Sequence, residues 1–140
     1  MGSRRKGRVI AFQALFSWDA SHPATEELLR FRWLEPERRE NLGADTLAFA
    51  ALITAGTVEN IDRIDDTIKN HTEHWDIDRI ARVDLAILRI SIFALLCQPD
   101  IPATVTIDEA VEIAKEFGGN DSYRFINGVL DSVRKTRGTV

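Results

Sequence analysis

The sequence has a single cysteine and no long apolar run. Cys97 has no second cysteine to pair with, so an internal disulfide is excluded, and a lone thiol fits a reducing cytoplasm. No apolar stretch approaches the roughly 20 residues of a membrane-spanning helix. The N-terminus is too basic, and its apolar stretch too interrupted, for a secretory signal peptide. We therefore expect a cytoplasmic protein that does not associate with membranes.

The sequence also lacks the patterns that are typical of β-strands. It shows no sustained alternation of apolar and polar positions and no Asn-Gly or Asp-Gly hairpin turn. Its 140 residues are 44% hydrophobic and 29% charged, without a linker or low-complexity tract, which fits one globular domain over residues 1–140. We predict an all-α fold, a compact single-domain bundle of about six or seven helices.

Motifs of catalysis are missing as well. The chain has no glycine-rich phosphate loop, no Gly-x-Ser-x-Gly elbow and no cysteine pair. His71 and His74 lie three residues apart, but no third metal ligand is evident and a zinc site needs three or four. We interpret the acidic cluster of Asp62, Asp65 and Asp66 as a solvated helix face. The prediction is a protein that is not an enzyme and holds no metal or cofactor.

Acidic residues are absent from the first eighteen positions. This segment carries Arg4, Arg5, Lys6 and Arg8 before the first acid, Asp19, and a net charge of −4 for the whole chain leaves −8 for the remainder. A cationic terminus on an acidic protein indicates contact with a polyanion such as RNA or DNA. The apolar residues that follow directly predict a helix from about residue 4 to residue 19, which argues against the alternative of a disordered basic tail.

The predicted first helix places aromatic rings beside these cations. At 100° per residue, Arg5, Arg8, Phe12 and Phe16 fall within about 80° of one another. Cations that neutralise phosphates next to a stacking surface are the combination that binds single-stranded nucleic acid. We interpret Phe12 as a core residue, whereas Phe16 fits the core and a nucleic-acid surface equally well. Phe125, at the edge of the apolar face of the last helix, presents the same two alternatives.

The segment from Arg82 to Cys97 is apolar on two sides. A helix with two apolar faces packs on both of them, so we predict that it is the central helix of the domain. Asp84 and Arg89 stand out within it. They lie at the rim or they are paired, because an unpaired buried charge is costly.

Shorter signals place the remaining helices. A helix is predicted around Glu26 to Leu34, and a long one from about Ala44 to Asn70 with Gly56 as a weak point. Thr106-Ile-Asp-Glu109 has the pattern of a capping box that opens a further helix. The predicted apolar side of that helix consists of Ile107, Ala110, Val111, Ala114 and Phe117.

The end of the chain contains a stop signal and a last helix. Gly118-Gly119 would end the preceding helix. Asn120 or Asp121 would then cap a helix that runs to about Arg134. The predicted core face of this last helix consists of Ile126, Val129, Leu130 and Val133.

Several stretches of the sequence resemble the family of the bacterial transcription antitermination factor NusB. The resemblance spans nearly the whole chain and is most specific in the C-terminal third, whereas residues 21–75 share only the helix pattern. The stretches are Arg4-Arg5-Lys6-Gly7-Arg8, Phe12-Gln-Ala-Leu-Phe-Ser-Trp18, Val83-Asp-Leu-Ala-Ile-Leu-Arg-Ile90, Asp100-Ile-Pro102, Ile107-Asp-Glu-Ala-Val-Glu-Ile-Ala-Lys-Glu-Phe-Gly118 and Phe125-Ile-Asn-Gly-Val-Leu-Asp131.

The resemblance implies an all-helical RNA-binding fold and a role in transcription antitermination. It implies a complex with the ribosomal protein NusE, joint recognition of single-stranded boxA RNA in nascent ribosomal RNA, and membership of the RNA polymerase antitermination complex. By motif, Arg4, Arg5, Lys6 and Arg8 would meet RNA phosphates, and Phe16 would lie by a base.

The resemblance also implies roles for residues of the later helices. Asp121 and Phe125 would sit where the last loop and helix approach RNA, and Asp84 and Arg89 would lie toward NusE. One departure is Gly7, which stands where the family commonly has alanine and so predicts a frayed arm.

Two further interpretations stay open at this stage. The chain could be a stand-alone RNA-binding module that serves an rRNA-modifying enzyme, or a structural homodimer. Charge favours a partner, because four cations neutralise only a few phosphates and RNA binding by the chain alone would be weak and salt-sensitive.

Overall fold

The computed structural model describes residues 2–72 and 76–138, and all regular structure in these ranges is helical. This confirms the all-α prediction, with more helices than the six or seven expected. A short 3-10 turn at Ile77–Arg79 separates the fifth helix from the sixth. The helices are α1 (Ser3–Ser21), α2 (Thr25–Leu28), α3 (Pro36–Leu42), α4 (Ala44–Glu59), α5 (Ile61–His71), α6 (Arg82–Cys97), α7 (Ala103–Phe117) and α8 (Ser122–Gly138).

The core is built around α6. Every residue from Asp84 to Leu95 is buried, and Ile87 and Leu88 have no exposed surface. Helices α1, α4, α5, α7 and α8 all pack against α6. The prediction that this segment is the central helix is confirmed, because an all-round apolar helix needs neighbours on every side.

Helix α1 crosses α4 at Gly7, which is buried. A Cβ atom at Gly7 would lie 2.7 Å from Cδ2 of Phe49 and 3.3 Å from the carbonyl oxygen of Thr46. The helix is continuous from Ser3. The frayed arm expected from Gly7 is therefore wrong, and the missing side chain instead lets the two helices approach closely.

The predicted core faces of the last two helices are confirmed, with Val111 half-buried against the core and Phe117 as the exception. Phe117, expected on the apolar side of α7, is 37% exposed at the end of that helix. The predicted residues that are buried are Ile107, Ala110 and Ala114 of α7 and Ile126, Val129, Leu130 and Val133 of α8.

Two helix predictions in the first half of the chain are wrong. The helix expected around residues 26–34 is reduced to the single turn of α2, and α3 was not predicted. The long helix expected over residues 44–70 is broken at Asn60 rather than at Gly56. The Asn60 side-chain amide donates to the carbonyl oxygen of Gly56 at 2.8 Å, a local bond that competes with helix continuation.

The predicted capping box is also wrong. Helix α7 begins at Ala103, one turn earlier, and Thr106 is a buried residue inside it. The carbonyl oxygen of Pro102 accepts the first helical hydrogen bonds, from the backbone N–H groups of Val105 and Thr106. Pro102 is thus the N-cap residue of α7, because its fixed backbone conformation suits the position directly before a helix.

Hydropathy in the described residues identifies no single helix long and apolar enough to cross a membrane. Helices α3 and α4 reach that length and composition only when taken together, across a bend of 96°.

Candidate nucleic-acid interface

The first turn of α1 is made of cations. Arg4 and Lys6 are exposed, and no acidic residue lies in this turn. Positive side chains at a helix N-terminus oppose the helix macrodipole, which favours negative charge there by about 0.3–1 kcal/mol per group. A charge pattern that opposes this electrostatic preference, on a helix that is otherwise well packed, is typical of a functional surface. The arrangement suits a ligand that brings negative charge.

Arg5 is held by an acid of α7. Its Nε donates to Oε2 of Glu109 at 2.6 Å, and its Nη2 donates to Oε1 at 3.3 Å. The hydrogen bond to Glu109 is the main reason that the pKa of Arg5 is raised. The pair fastens the start of α1 to α7, and a phosphate must compete with Glu109 to reach Arg5.

Arg4 and Arg8 share one aromatic ring. Their guanidinium carbons lie 4.3 Å and 5.4 Å from the centroid of Phe49 on α4. Both distances are within the range of cation–π attraction. Arg8 is half-buried, and desolvation together with the nearby Arg4 and Arg5 lowers its pKa, against the attraction of Glu109. Arg8 is therefore less accessible to a ligand than the exposed Arg4.

The two phenylalanines of α1 have different environments. Phe12 is 4% exposed and packs against Phe117, with ring centroids 5.1 Å apart. Phe16 is 46% exposed. The interpretation of Phe12 as core is confirmed. The side chain of Phe16 offers part of its ring to solvent on the helix that carries the cations.

The turn between α7 and α8 starts beside α1. The Arg5–Glu109 and Phe12–Phe117 contacts bring α7 against α1, and Asp121 follows four residues after Phe117. Asp121 is exposed, and its carbonyl oxygen accepts from the backbone N–H of Phe125 at 3.3 Å. Phe125 is half-buried and packs on the hydrophobic core.

Arg89 is neutralised inside the fold. Its Nε and Nη2 donate to the two carboxylate oxygens of Asp65, both at 3.0 Å, and its Nη1 donates to Oδ1 of Asp19 at 2.9 Å. The second oxygen of Asp19 accepts from Arg82 at 3.0 Å. Asp65 is thus a partner of Arg89 rather than part of a purely solvated face. Because these contacts balance the buried charge, Arg89 needs no second protein to explain it.

Asp84 differs from Arg89. It is 7% exposed, lies in the first turn of α6, and its Oδ1 is buried without a hydrogen-bond partner among the described residues. A buried acceptor left without a donor costs about 1–3 kcal/mol, more when charged.

Of the pair His71 and His74, only His71 lies in the described residues. His71 Nδ1 lies 2.8 Å from Oγ of Ser132, and His74 is outside the described residues. In residues 2–72 and 76–138, no three His, Cys, Asp or Glu side chains are grouped so that they could hold a metal ion.

Sequence reasoning missed three residues of this surface. Phe49 lies under Arg4 and Arg8, and Arg38 and Phe117 line a cleft beside Lys6. Phe49 and Arg38 come from the region without a recognisable motif, and only helix packing brings them to α1. No local signal in the sequence could have found them.

Comparison with known proteins identifies the family. Residues 5–135 match the model of the NusB family. The chain belongs to the NusB family. The transcription antitermination protein NusB of Treponema pallidum (strain Nichols) is 47% identical over 133 residues, which cover 95% of this chain and 93% of that protein.

Solved structures agree with this assignment. T. maritima NusB superposes with a TM-score of 0.82 at 36% identity, covering 94% of this chain and 90% of that one. A crystal structure of NusB and NusE in complex with double-stranded RNA has a TM-score of 0.79 at 23% identity, with 97% and 98% of the two chains covered, and shares the fold. The NusB-family match includes residues 21–75, where the sequence had resembled the family only in helix pattern.

Proposed function

We propose that this NusB-family chain is an RNA-binding transcription antitermination factor that pairs with ribosomal protein NusE and binds single-stranded boxA RNA in nascent ribosomal RNA. The observation that carries the proposal is the family match over residues 5–135, which includes most of the basic turn of α1. Relatives of 41–47% identity bear the name of transcription antitermination protein NusB. A neighbour with the same fold was crystallised with NusE and RNA.

The RNA-binding surface of this proposal is centred on α1. Arg4 and Lys6 are exposed and contact phosphates, whereas Arg5 contacts a phosphate after leaving Glu109. Arg8 adds positive charge from its half-buried position. Phe16 stacks on a base with the exposed part of its ring, a contact worth about 1–3 kcal/mol.

The same surface continues to the start of α8. Asp121 offers an exposed carboxylate to base amino groups or to sugar hydroxyls, and Phe125 supplies the edge of a half-buried ring. Supporting this extension, the end of α7 lies against α1 immediately before the turn that carries Asp121.

We assign Asp84 and Arg89 to the side that meets NusE. Asp84 supports this assignment because its buried Oδ1 has no donor among the described residues, and a cation of the partner would provide one. Arg89 acts there through the charge cluster that it holds with Asp19 and Asp65.

We propose a binding role rather than a catalytic one, exercised in the cytoplasm as part of the RNA polymerase antitermination complex. Relatives named as transcription antitermination proteins support both parts of this statement.

The experiment measures binding of a boxA-type RNA by fluorescence anisotropy, with and without NusE, at two salt concentrations. We expect weak, salt-sensitive binding by the chain alone and tighter binding by the NusE complex, because a basic ribosomal protein extends the positive surface. Asp84→Lys should weaken the NusE complex more than it lowers the melting temperature.

Two results would contradict the proposal. Equal binding of boxA-type RNA with and without NusE would show that NusE has no part in RNA recognition. A stable homodimer in gel filtration that RNA and NusE leave unchanged would favour the structural alternative.

A further inference from the structure

A cleft of about 430 Å³ lies beside the basic turn of α1, between α1, α3 and the end of α7. Its volume is in the range of sites that hold small molecules. Lys6 of α1 and Arg38 of α3 lie at this cleft with Glu116 and Phe117 of α7. Val9 and Leu42 add apolar surface. The cleft therefore combines cations with apolar walls and one acid.

Its two cations are available to a ligand. Lys6 and Arg38 are both exposed, and neither forms an ion pair within residues 2–72 and 76–138. They come from different helices, and they face one space because α1 and α3 both pack against α4. Against the single carboxylate of Glu116, the cleft has an excess of positive charge, which suits a phosphate.

Phe117 provides a flat apolar surface. Phe117 is 37% exposed, and Phe12 supports its ring from within the fold at a centroid distance of 5.1 Å. A ring that is held from one side and open on the other is a platform on which a base stacks, as aromatic side chains do in single-strand-binding proteins.

Gln13 gives the cleft a polar group that lacks a partner. Its side chain lines the cleft, and its carbonyl oxygen Oε1 is buried without a hydrogen-bond donor among the described residues. Since an unsatisfied acceptor is costly, a ligand donor that reaches the amide after rotation of its side chain is favoured. Glu116 offers a second acceptor at the same cleft.

We propose that this cleft binds one nucleotide of the RNA, and the inference rests on the proposed RNA-binding function. Lys6 and Arg38 hold the phosphate, and the base stacks on Phe117. Gln13 and Glu116 accept hydrogen bonds from the base, so the cleft prefers a base with an amino group over uracil, whose single ring N–H donor lies between two carbonyl acceptors. Arg38 and Phe117 thereby add a specific contact to the basic arm.

The test uses the full chain in complex with NusE and a boxA-type single-stranded RNA. Arg38→Gln should weaken binding and flatten the log–log salt dependence by about 0.7, the value for one lost single-strand phosphate contact. Phe117→Ala should weaken binding by about 5- to 150-fold, the range for one lost stacked base, with the salt dependence unchanged. Arg63→Gln is the matched control, because it removes the same charge at an exposed position of α5. This variant should bind RNA as the wild type does.

A series of RNAs, each with one abasic nucleotide, identifies the base. At one position, removing the base should weaken binding to the wild type. The RNA that is abasic at this position should bind the wild type and Phe117→Ala with equal affinity. At that position, replacing an amino-bearing base by uracil should also weaken binding, and Gln13→Leu should reduce the difference.

The outcomes distinguish a failure of the cleft proposal from a failure of the proposed RNA-binding function. If the wild-type complex does not bind RNA at all, the proposed function fails. If it binds, and Arg4→Gln weakens binding while Arg38→Gln and Phe117→Ala do not, the cleft is not a nucleotide site. If Arg38→Gln weakens the complex with NusE in the absence of RNA, the cleft is a protein contact and the inference is overturned.

Discussion

Arg5 has two competing partners, the carboxylate of Glu109 that holds it in this structure and the RNA phosphate that we propose for it. The side chains are 35% and 20% exposed, so their ion pair is partly screened by water and contributes at most about 1 kcal/mol to stability. The contact thus positions the arm at small energetic cost, and it can be exchanged for a phosphate.

Glu109→Gln should therefore tighten RNA binding. The substitution removes a negative charge and weakens the hold on Arg5, so we expect a steeper salt dependence, by about 0.7 in log–log slope if one phosphate contact is gained. Anisotropy titrations over a range of salt concentrations measure this. Glu112→Gln is the matched control, because Glu112 is an exposed acid of the same helix that pairs with Lys115. Equal gains in both variants would show that only net charge matters.

Phe16→Ala should reduce RNA affinity more than stability. The ring is 46% exposed, so its loss should cost less than the about 3–5 kcal/mol of an emptied core phenylalanine site. The loss of a stacked base should cost about 1–3 kcal/mol in binding. Urea unfolding and RNA titration measure the two quantities. Phe12→Ala, at a buried ring, should show the opposite balance, and the same balance in both variants would count against a stacking role for Phe16.

Asp19 makes stability depend on pH. Burial alone would raise its pKa, but the hydrogen bonds from Arg89 and Arg82 and their charges outweigh burial and hold the pKa below its ordinary value. A carboxylate with a depressed pKa in the folded state contributes stability above its unfolded pKa, and this contribution is lost as pH falls through the folded pKa.

We accordingly expect the wild type to lose unfolding free energy as the pH is lowered from about 5 toward the folded pKa of Asp19, and Asp19→Asn to lose less over the same interval. Urea unfolding at a series of pH values gives the comparison. Asp66→Asn changes an exposed acid of α5 and should keep the wild-type dependence. If Asp19→Asn shows the full wild-type slope, other carboxylates determine the acid sensitivity.

At the scale of helices, α4 and α6 meet where a side chain is missing. A Cβ atom on Gly56 would lie 2.3 Å from Cζ and 2.4 Å from Cε1 of Phe93, whose ring is buried. The sequence pattern predicts that Gly56 is a weak point of a long helix. The structure shows that it lies inside α4 and provides the space for a core ring.

Gly56→Ala should therefore destabilise the protein by about 1–3 kcal/mol, the usual cost of overpacking, although alanine favours the helix by about 1 kcal/mol. In the background of Phe93→Leu, the same substitution should be neutral or stabilising, since the ring is absent. A double-mutant cycle in urea measures the coupling. Additive effects of the two substitutions would mean that Phe93 moves aside without cost.

At the scale of the whole molecule, positive charge is concentrated on one end of an acidic chain. Arg4 and Lys6 are exposed on a folded helix, and the rest of the chain beyond Trp18 carries −8. A long-range repulsion from the acidic body therefore accompanies every phosphate contact, and screening by salt weakens both.

Replacing Arg4 and Lys6 together by alanine should weaken binding to many RNAs alike, because phosphate contacts carry no sequence information. The log–log salt dependence should flatten by about 0.7 for each lost contact with a single strand. Titrations with two RNAs of unrelated sequence test both statements. Replacing Arg63 and Lys69 of α5 removes the same charge from an exposed face elsewhere. A loss confined to one RNA, with an unchanged slope, would indicate base recognition.

Elements with a strong pattern were predictable from the sequence alone. The bounds of α6, the buried faces of α7 and α8 and the helical arm follow from apolar periodicity, which reports the burial of a helix directly. Family motifs in α1, α6, α7 and α8 supplied the expected function. Helix ends in the first half were less predictable, because they depend on local hydrogen bonds such as that of Asn60 to Gly56.

Residue identity and periodicity therefore determined that the chain is helical, that α6 is central and that α1 opens with cations and no acid before Asp19. Tertiary structure alone decided which charges remain free. It paired Arg89 with Asp19 and Asp65, and Arg5 with Glu109, and it left Lys6 open beside Arg38. The physical reason is that the energy of a charge depends on the groups that packing brings within a few ångströms of it, and those groups are distant in sequence.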